Sequence, residues 1–147
     1  DTIIKRVKVI AGGQLTPATV AKLSHRSLRS AGCSENKAKA VRALAVSANN
    51  GELSLRSLSK KSDDEIMETL LPLFGIGKWT VEMFLIFQLG RLDIWPVGDL
   101  GVRRGWEKLF NLQEEIEVSN LLKAGEKFAP YRSHLAWYCW RAHSLYS

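Results

Sequence analysis

Leu73-Phe74-Gly75-Ile76-Gly77-Lys78-Trp79-Thr80 separates two stretches of helical periodicity. Before it, Ser62-Asp63-Asp64-Glu65 is a capping box that opens a helix through Ile66, Met67, Leu70, Leu71 and Leu73. After it, Trp79, Val81, Met83, Phe84, Leu85, Ile86, Phe87 and Leu89 are apolar almost all round. A helix of that kind is expected to be central and buried. Glycines at 75 and 77 permit positive φ and close backbone approach. The spacing therefore predicts a tight helical hairpin over about residues 62–90. The N–H groups of Gly77, Lys78 and the residues that follow would point outward at a helix N-terminus. There the helix dipole and Lys78 favour a phosphate. Such a site grips the backbone of duplex DNA without reading its sequence. An ordinary turn between two helices explains the same residues equally well.

Working outward, the texture is helical throughout, and alternating strand patterns bounded by turns are scarce. The fold class expected is all-α, a multi-helix single domain over 1–147. Residues 2–11 read as the end of a helix, closed by Gly12-Gly13. Thr16-Pro17 reads as an N-cap with proline at the first helical position, opening a helix to about Leu23. Ser24 caps another to Ala31, with Gly32 as its stop. Residues 35–49 carry an apolar stripe at helical spacing, and Leu53, Leu55 and Leu58 form a one-turn element. Helices are also expected at about 100–110, 114–128 and 131–145.

The chain has 147 residues, 46% of them hydrophobic, which suffices for a real core. No apolar run approaches the ~18 residues of a membrane span. The start, Asp1-Thr2-Ile3-Ile4-Lys5-Arg6, does not read as a signal peptide, so none is expected in these residues. The two cysteines, Cys33 and Cys139, cannot by themselves build a four-thiolate metal site, and buried reduced thiols are expected. Charge is uneven: residues 1–60 hold 11 Lys+Arg against 3 Asp+Glu, and residues 61–147 hold 10 against 12. A basic half is the footprint of a polyanion binder, although a solvated basic surface accounts for it too.

Two further segments carry chemistry. Trp95-Pro96-Val97-Gly98-Asp99-Leu100 places Asp99 22 residues after Gly77, at the expected start of a helix. Asp is also simply a good N-cap. Pro130-Tyr131-Arg132-Ser133-His134-Leu135-Ala136-Trp137-Tyr138-Cys139-Trp140-Arg141 is dense in aromatics. Trp137 shares a helix face with Trp140 or with Arg141. Core packing and a stacking pocket for a planar ligand both fit that stripe.

As a set, Gly-Ile-Gly-x-Trp-Thr, an apolar helix, Asp-x-x-Pro-x-Gly-Asp-Leu-Gly and Pro-Tyr-Arg-Ser before an aromatic last helix resemble the helix-hairpin-helix (HhH-GPD) superfamily of DNA glycosylases. The pattern is most similar to the branch of 3-methyladenine DNA glycosylase II. The resemblance implies a base excision repair enzyme that flips out an alkylated purine and hydrolyses its N-glycosidic bond. It implies that Asp99 is the catalytic carboxylate. It implies that Trp79, Met83 and Trp140 line the base pocket, where indole faces suit a cationic base. It implies that Gly75, Ile76, Gly77, Lys78 and Thr80 contact DNA. Members that also nick the strand place a Lys two residues after the second hairpin glycine. Trp79 stands there, so a monofunctional enzyme without lyase activity is expected.

The resemblance further implies that no cofactor is required. A monovalent cation in the hairpin would be held by the backbone carbonyls of Leu71, Leu73 and Ile76. The partner expected is double-stranded DNA with alkylated or damaged bases, with no membrane, bound by a monomer. The location expected is nuclear in a eukaryote and otherwise cytoplasmic. Family members carry a wedge-bearing segment upstream of the helix that ends here near residue 11, and this chain is expected to lack it. Two other functions fit parts of the sequence. A non-catalytic helix-hairpin-helix module would need the turn but neither Asp99 nor the two Trp residues. A helical scaffold without a nucleic-acid role would need none of these.

Overall fold

The computed structural model describes residues 2–145, less the side chain of Leu55. Among these residues the structure is helical, with no strand. The chain divides into two compact units, one ending at Gly77 and the other starting at Lys78.

The first unit contains α1 (Thr2–Ile10), α2 (Pro17–Ala21), α3 (His25–Ser30), α4 (Glu35–Asn49), α5 (Leu55–Leu58) and α6 (Asp63–Leu70). Side-chain caps set the starts of four of them. Thr16, Ser24, Ser34 and Ser62 each accept a bond from a backbone N–H three residues on. The Ser62–Glu65 box is closed in both directions, with the Ser62 N–H donating to Glu65 Oε2 at 2.7 Å. Those caps satisfy N–H groups that a helix start leaves without intrahelical partners. Val7, Leu28, Ala31, Cys33 and Ala38 form one core cluster, with Leu23 against it. Leu53, Leu58, Ile66 and Leu70 are buried as well. The side chain of Leu55, a residue of the expected one-turn element, lies outside the described residues.

Helix α6 is shorter than its periodicity suggests. It ends at Leu70 rather than continuing through Leu73, because Pro72 cannot continue the backbone ladder. Leu73 and Ile76 then donate in short steps to Leu70 O and Leu73 O, both at 3.1 Å. Gly75 adopts φ 75°, and a Cβ there would stand 2.5 Å from the Ala40 Cβ of α4. Glycine is therefore required at 75 for both conformation and space.

The second unit contains α7 (Lys78–Met83), a π-helical turn (Phe84–Gln88), α8 (Leu100–Leu109), α9 (Val118–Gly125), a 3-10 turn (Glu126–Phe128) and α10 (Arg132–Leu145). Its core holds Trp95, Val97, Val102, Trp106, Leu121, Ala136 and Cys139. Both cysteines are buried and free, as the composition suggested.

Two expectations are corrected in this unit. The apolar stretch 78–89 is not one buried α-helix. Its second half is π-helical, with the Leu89 N–H reaching back to Phe84 O, and Trp79 and Phe87 are 54% and 65% exposed. A π-turn shifts the register, so side chains that would share a buried face part company. The helix expected from residue 114 begins only at Val118. Glu115 pairs with Arg104, and Glu107 Oε1 accepts the Ile116 N–H at 2.9 Å. Those long-range partners hold 115–116 outside the helix.

Helices α8 and α10 meet backbone to backbone. A Cβ on Gly105 would fall 1.8 Å from the Cys139 carbonyl oxygen. No side chain fits there, and a substitution must push the helices apart. Overpacking of this kind costs ~3 kcal/mol or more. Gly105→Ala is therefore expected to lower the melting temperature by several degrees in a thermal scan; an unchanged midpoint would show that the two helices do not need this approach.

Candidate functional site

Asp99 is the N-cap of α8, and its Oδ1 accepts the Val102 N–H at 2.8 Å. That much the sequence predicts from local capping. Two indoles add to it. Trp140 Nε1, on α10, donates to Oδ1 at 2.9 Å, and Trp79 Nε1, on α7, donates to Oδ2 at 2.6 Å. Three elements therefore converge on one carboxylate, which is partly buried. Burial pushes the Asp99 carboxyl up. The bonds from Trp140, Val102, Trp79 and the Gly101 backbone together outweigh it, and the group sits below its ordinary range. Asp99 is held as an anion whose oxygens are already engaged.

Close backbone approach makes this geometry accessible. A Cβ on Gly101 would lie 3.0 Å from Trp140 Cδ1 and 3.1 Å from Asp99 Oδ1. The Gly105 contact with Cys139 brings α8 to α10 one residue before Trp140. The loop before Asp99 is tied to the start of α10. Arg132 donates from Nε and Nη2 to the two Asp93 oxygens, each at 2.7 Å. Ser133 Oγ accepts the Ile94 N–H at 2.9 Å and donates to Arg91 O at 2.7 Å. The Arg132 guanidinium holds the Asp93 carboxyl below its ordinary range. A bidentate fork of this kind fixes orientation as well as distance.

A second acid belongs to the same unit. Glu82 is 5% exposed, with Lys78 Nζ 3.8 Å from its Oε1. Burial pushes its carboxyl up, Lys78 opposes this, and the neighbouring Asp99 charge adds to it. The two carboxyls are thus shifted in opposite directions, Glu82 up and Asp99 down. Phe87 stacks on Trp140, with ring centroids 5.5 Å apart and an interplanar angle of 30°.

Of the residues singled out from sequence, the structure joins Trp79, Asp99 and Trp140 directly. Met83 ends α7 one turn beyond Trp79 and is half-buried. Gly75, Ile76 and Gly77 form the exposed end of the first unit, with Ile76 partly covered, and Lys78 and Thr80 lie exposed in the first turn of α7. Leu71 and Leu73 sit in the same turn region as Ile76, and Leu73 O already accepts the Ile76 N–H. Among the described residues no group of three His, Cys, Asp or Glu could hold a metal ion. None of their helices is long and apolar enough to cross a membrane.

Sequence reasoning missed Glu82, Phe87, Gly101 and the Asp93–Arg132 fork. Glu82 was hidden inside an apolar run. Phe87 depends on the π-turn. The other two answer to neighbours about 40 residues away in the chain, and a helix-initial glycine at 101 was the one available signal.

The family model described as HhH-GPD superfamily base excision DNA repair protein matches residues 1–130. The chain is 34% identical to DNA-3-methyladenine glycosylase 1 of Schizosaccharomyces pombe over 99% of its own length. It spans 65% of that relative. Among solved structures, the S. pombe 3-methyladenine DNA glycosylase Mag1 in complex with abasic DNA superposes with a TM-score of 0.88 at 34% identity, over 95% of this chain and 69% of that one. A Bacillus halodurans DNA-3-methyladenine glycosidase gives 0.85, also at 34% identity, over 99% and 67%.

The Asp99 bonds have a pH signature. A folded-state value below the unfolded one contributes stability above the unfolded pKa of ~3.9, and loses it as pH falls through the folded value. Trp140→Phe removes one donor. Beyond a pH-independent packing loss, its stability deficit in urea unfolding is expected to be largest above about pH 4 and to narrow on acidification. A deficit that is constant with pH would remove Trp140 from the set of groups holding the charge.

Proposed function

This chain belongs to the HhH-GPD superfamily of base excision DNA repair proteins, and we propose that the protein it represents is a DNA glycosylase for alkylated purines. The observation that carries this reading is the Asp99 carboxylate, fixed by two indole N–H groups and a helix N-terminus in one unit. The names of the relatives support it, and the likeness to a structure bound to abasic DNA supports DNA as the substrate.

The chemistry follows from charge. A purine alkylated on a ring nitrogen is cationic. When its bond to C1′ breaks, the electron pair goes to the base, which leaves neutral without needing a strong general acid. Positive charge then develops on the sugar, as in other glycoside cleavages. The Asp99 anion stabilises that oxocarbenium-like centre electrostatically. Water adds to C1′ and releases a proton to solvent. Because donors already engage both Asp99 oxygens, its part is that of a fixed negative charge more than of a strong base. The electron-rich indoles of Trp79 and Trp140 suit the cationic base, at ~0.5–2 kcal/mol each, with Met83 beside Trp79. Such a pocket discriminates by charge and stacking, so several alkylated purines qualify.

Lys78, Thr80 and the backbone of Gly75–Gly77 take DNA phosphates under this reading. Leu71, Leu73 and Ile76 offer hard carbonyl oxygens suited to a monovalent cation. Trp79 occupies the place where a Schiff-base lysine would stand, so hydrolysis stops at the abasic site. The protein acts as a monomer on DNA, with no need of a membrane.

Release of free base from methylated duplex DNA is the test. Wild type is expected to release it. Asp99→Asn is expected to lose at least a hundredfold in rate while binding DNA as before. Equal rates would remove Asp99 from catalysis. Borohydride should trap no covalent protein–DNA adduct, and a trapped adduct would contradict hydrolysis without lyase chemistry.

A further inference from the structure

The basic N-terminal half is not used by the chemistry at Asp99. Part of its charge gathers in one place within the first unit. On α3, His25 and Arg29 stand one turn apart; on α4, Glu35, Lys39 and Arg42 follow one stripe at i, i+4 and i+7. Three of the bases converge on the single acid. His25 Nε2 is 3.2 Å from Glu35 Oε1, Lys39 Nζ is 3.3 Å from the same atom, and Arg29 Nε is 3.5 Å from Oε2. Arg42 donates from Nε to Leu23 O at 3.3 Å, which leaves its two terminal nitrogens for another acceptor.

Counting Arg29, Lys39 and Arg42 against Glu35 gives two uncompensated positive charges even with His25 neutral. His25, Lys39, Arg42 and Phe74 line a concavity of about 440 Å³. Phe74 is exposed and immediately precedes Gly75, whose backbone sits against Ala40, the residue after Lys39. The concavity is therefore continuous with the turn that the proposed function already places on DNA.

We propose that Lys39 and Arg42, with His25 and Phe74 as its walls, form a second backbone-phosphate site on the first unit, additional to the hairpin turn. The ligand is a phosphodiester of the DNA substrate, so the inference rests on the proposed function. A cluster with excess positive charge, a guanidinium with free donors and an aromatic wall suits a phosphate with its adjoining sugar. An acidic protein partner would find the same charge, but it would not require continuity with the hairpin turn. Glu35 keeps His25, Arg29 and Lys39 gathered, and the phosphate is taken by the positive charge left over on Lys39 and Arg42.

Each phosphate contact contributes ~0.9 to the slope of log Kd against log salt concentration for duplex DNA. The experiment titrates a fluorescein-labelled duplex with wild type, Lys39→Gln/Arg42→Gln, the charge-preserving Lys39→Arg/Arg42→Lys, and Lys78→Ala across a salt series. The first double variant is expected to reduce the slope by ~1.8, and the charge-preserving one to keep the wild-type slope. Lys78→Ala should reduce it by ~0.9. A wild-type slope in Lys39→Gln/Arg42→Gln beside a reduced one in Lys78→Ala overturns this site and leaves the proposed function standing. A slope lost equally in both double variants also overturns it, since packing rather than charge would then be responsible. A wild-type protein that does not bind DNA overturns both readings.

Discussion

A carboxylate keeps its charge in a half-buried setting only when donors replace the water it gives up. Asp99 meets that condition through two indoles and the first turn of α8. Much of the second unit can be understood as what it takes to bring those groups together. Helix α8 supplies the oriented amide. Helix α10 supplies Trp140, and α7 supplies Trp79. The backbone contact of Gly105 with Cys139 and the close fit of Gly101 under Trp140 set the spacing between α8 and α10. The Asp93–Arg132 fork and Ser133 anchor the incoming loop to the same helix.

This arrangement shifts two acids in opposite directions. Asp99 carries a fixed charge, and the carboxyl of Glu82, buried nearby, is pushed up by that burial. A fixed charge suits a reaction in which the leaving group is already cationic and the sugar becomes so. The N–H edges of the Trp79 and Trp140 indoles hold Asp99, and the exposed Trp79 ring keeps surface for stacking. Phe87 already stacks on Trp140, so the aromatic character of the site extends beyond the two tryptophans.

Much of this was legible in the sequence wherever the cause was local. Thr16, Ser24 and Ser62 announced helix starts, Gly75 announced the turn, and Asp99 announced the start of α8, because caps and positive φ depend on residues a few positions away. The family pattern then pointed to Asp99, Trp79 and Trp140 before any geometry was known. What stayed hidden depends on partners far along the chain. The run 78–89 looked uniformly buried because its apolar character is real, yet the π-turn exposes Phe87. The start of α9 was misplaced because Arg104 and Glu107 capture residues 115 and 116. Gly101 and Gly105 look like poor helix formers in isolation, and only the proximity of α10 explains them.

The central claim is that Asp99 is a preorganised anion. Its most direct test is a pH titration of the Asp99 side-chain carboxyl carbon by NMR in the folded protein, beside Trp140→Phe. The account predicts a pKa below the ordinary ~3.9 in wild type and a higher value in the variant. A wild-type value at or above the ordinary one, unmoved by the loss of the indole, would contradict it.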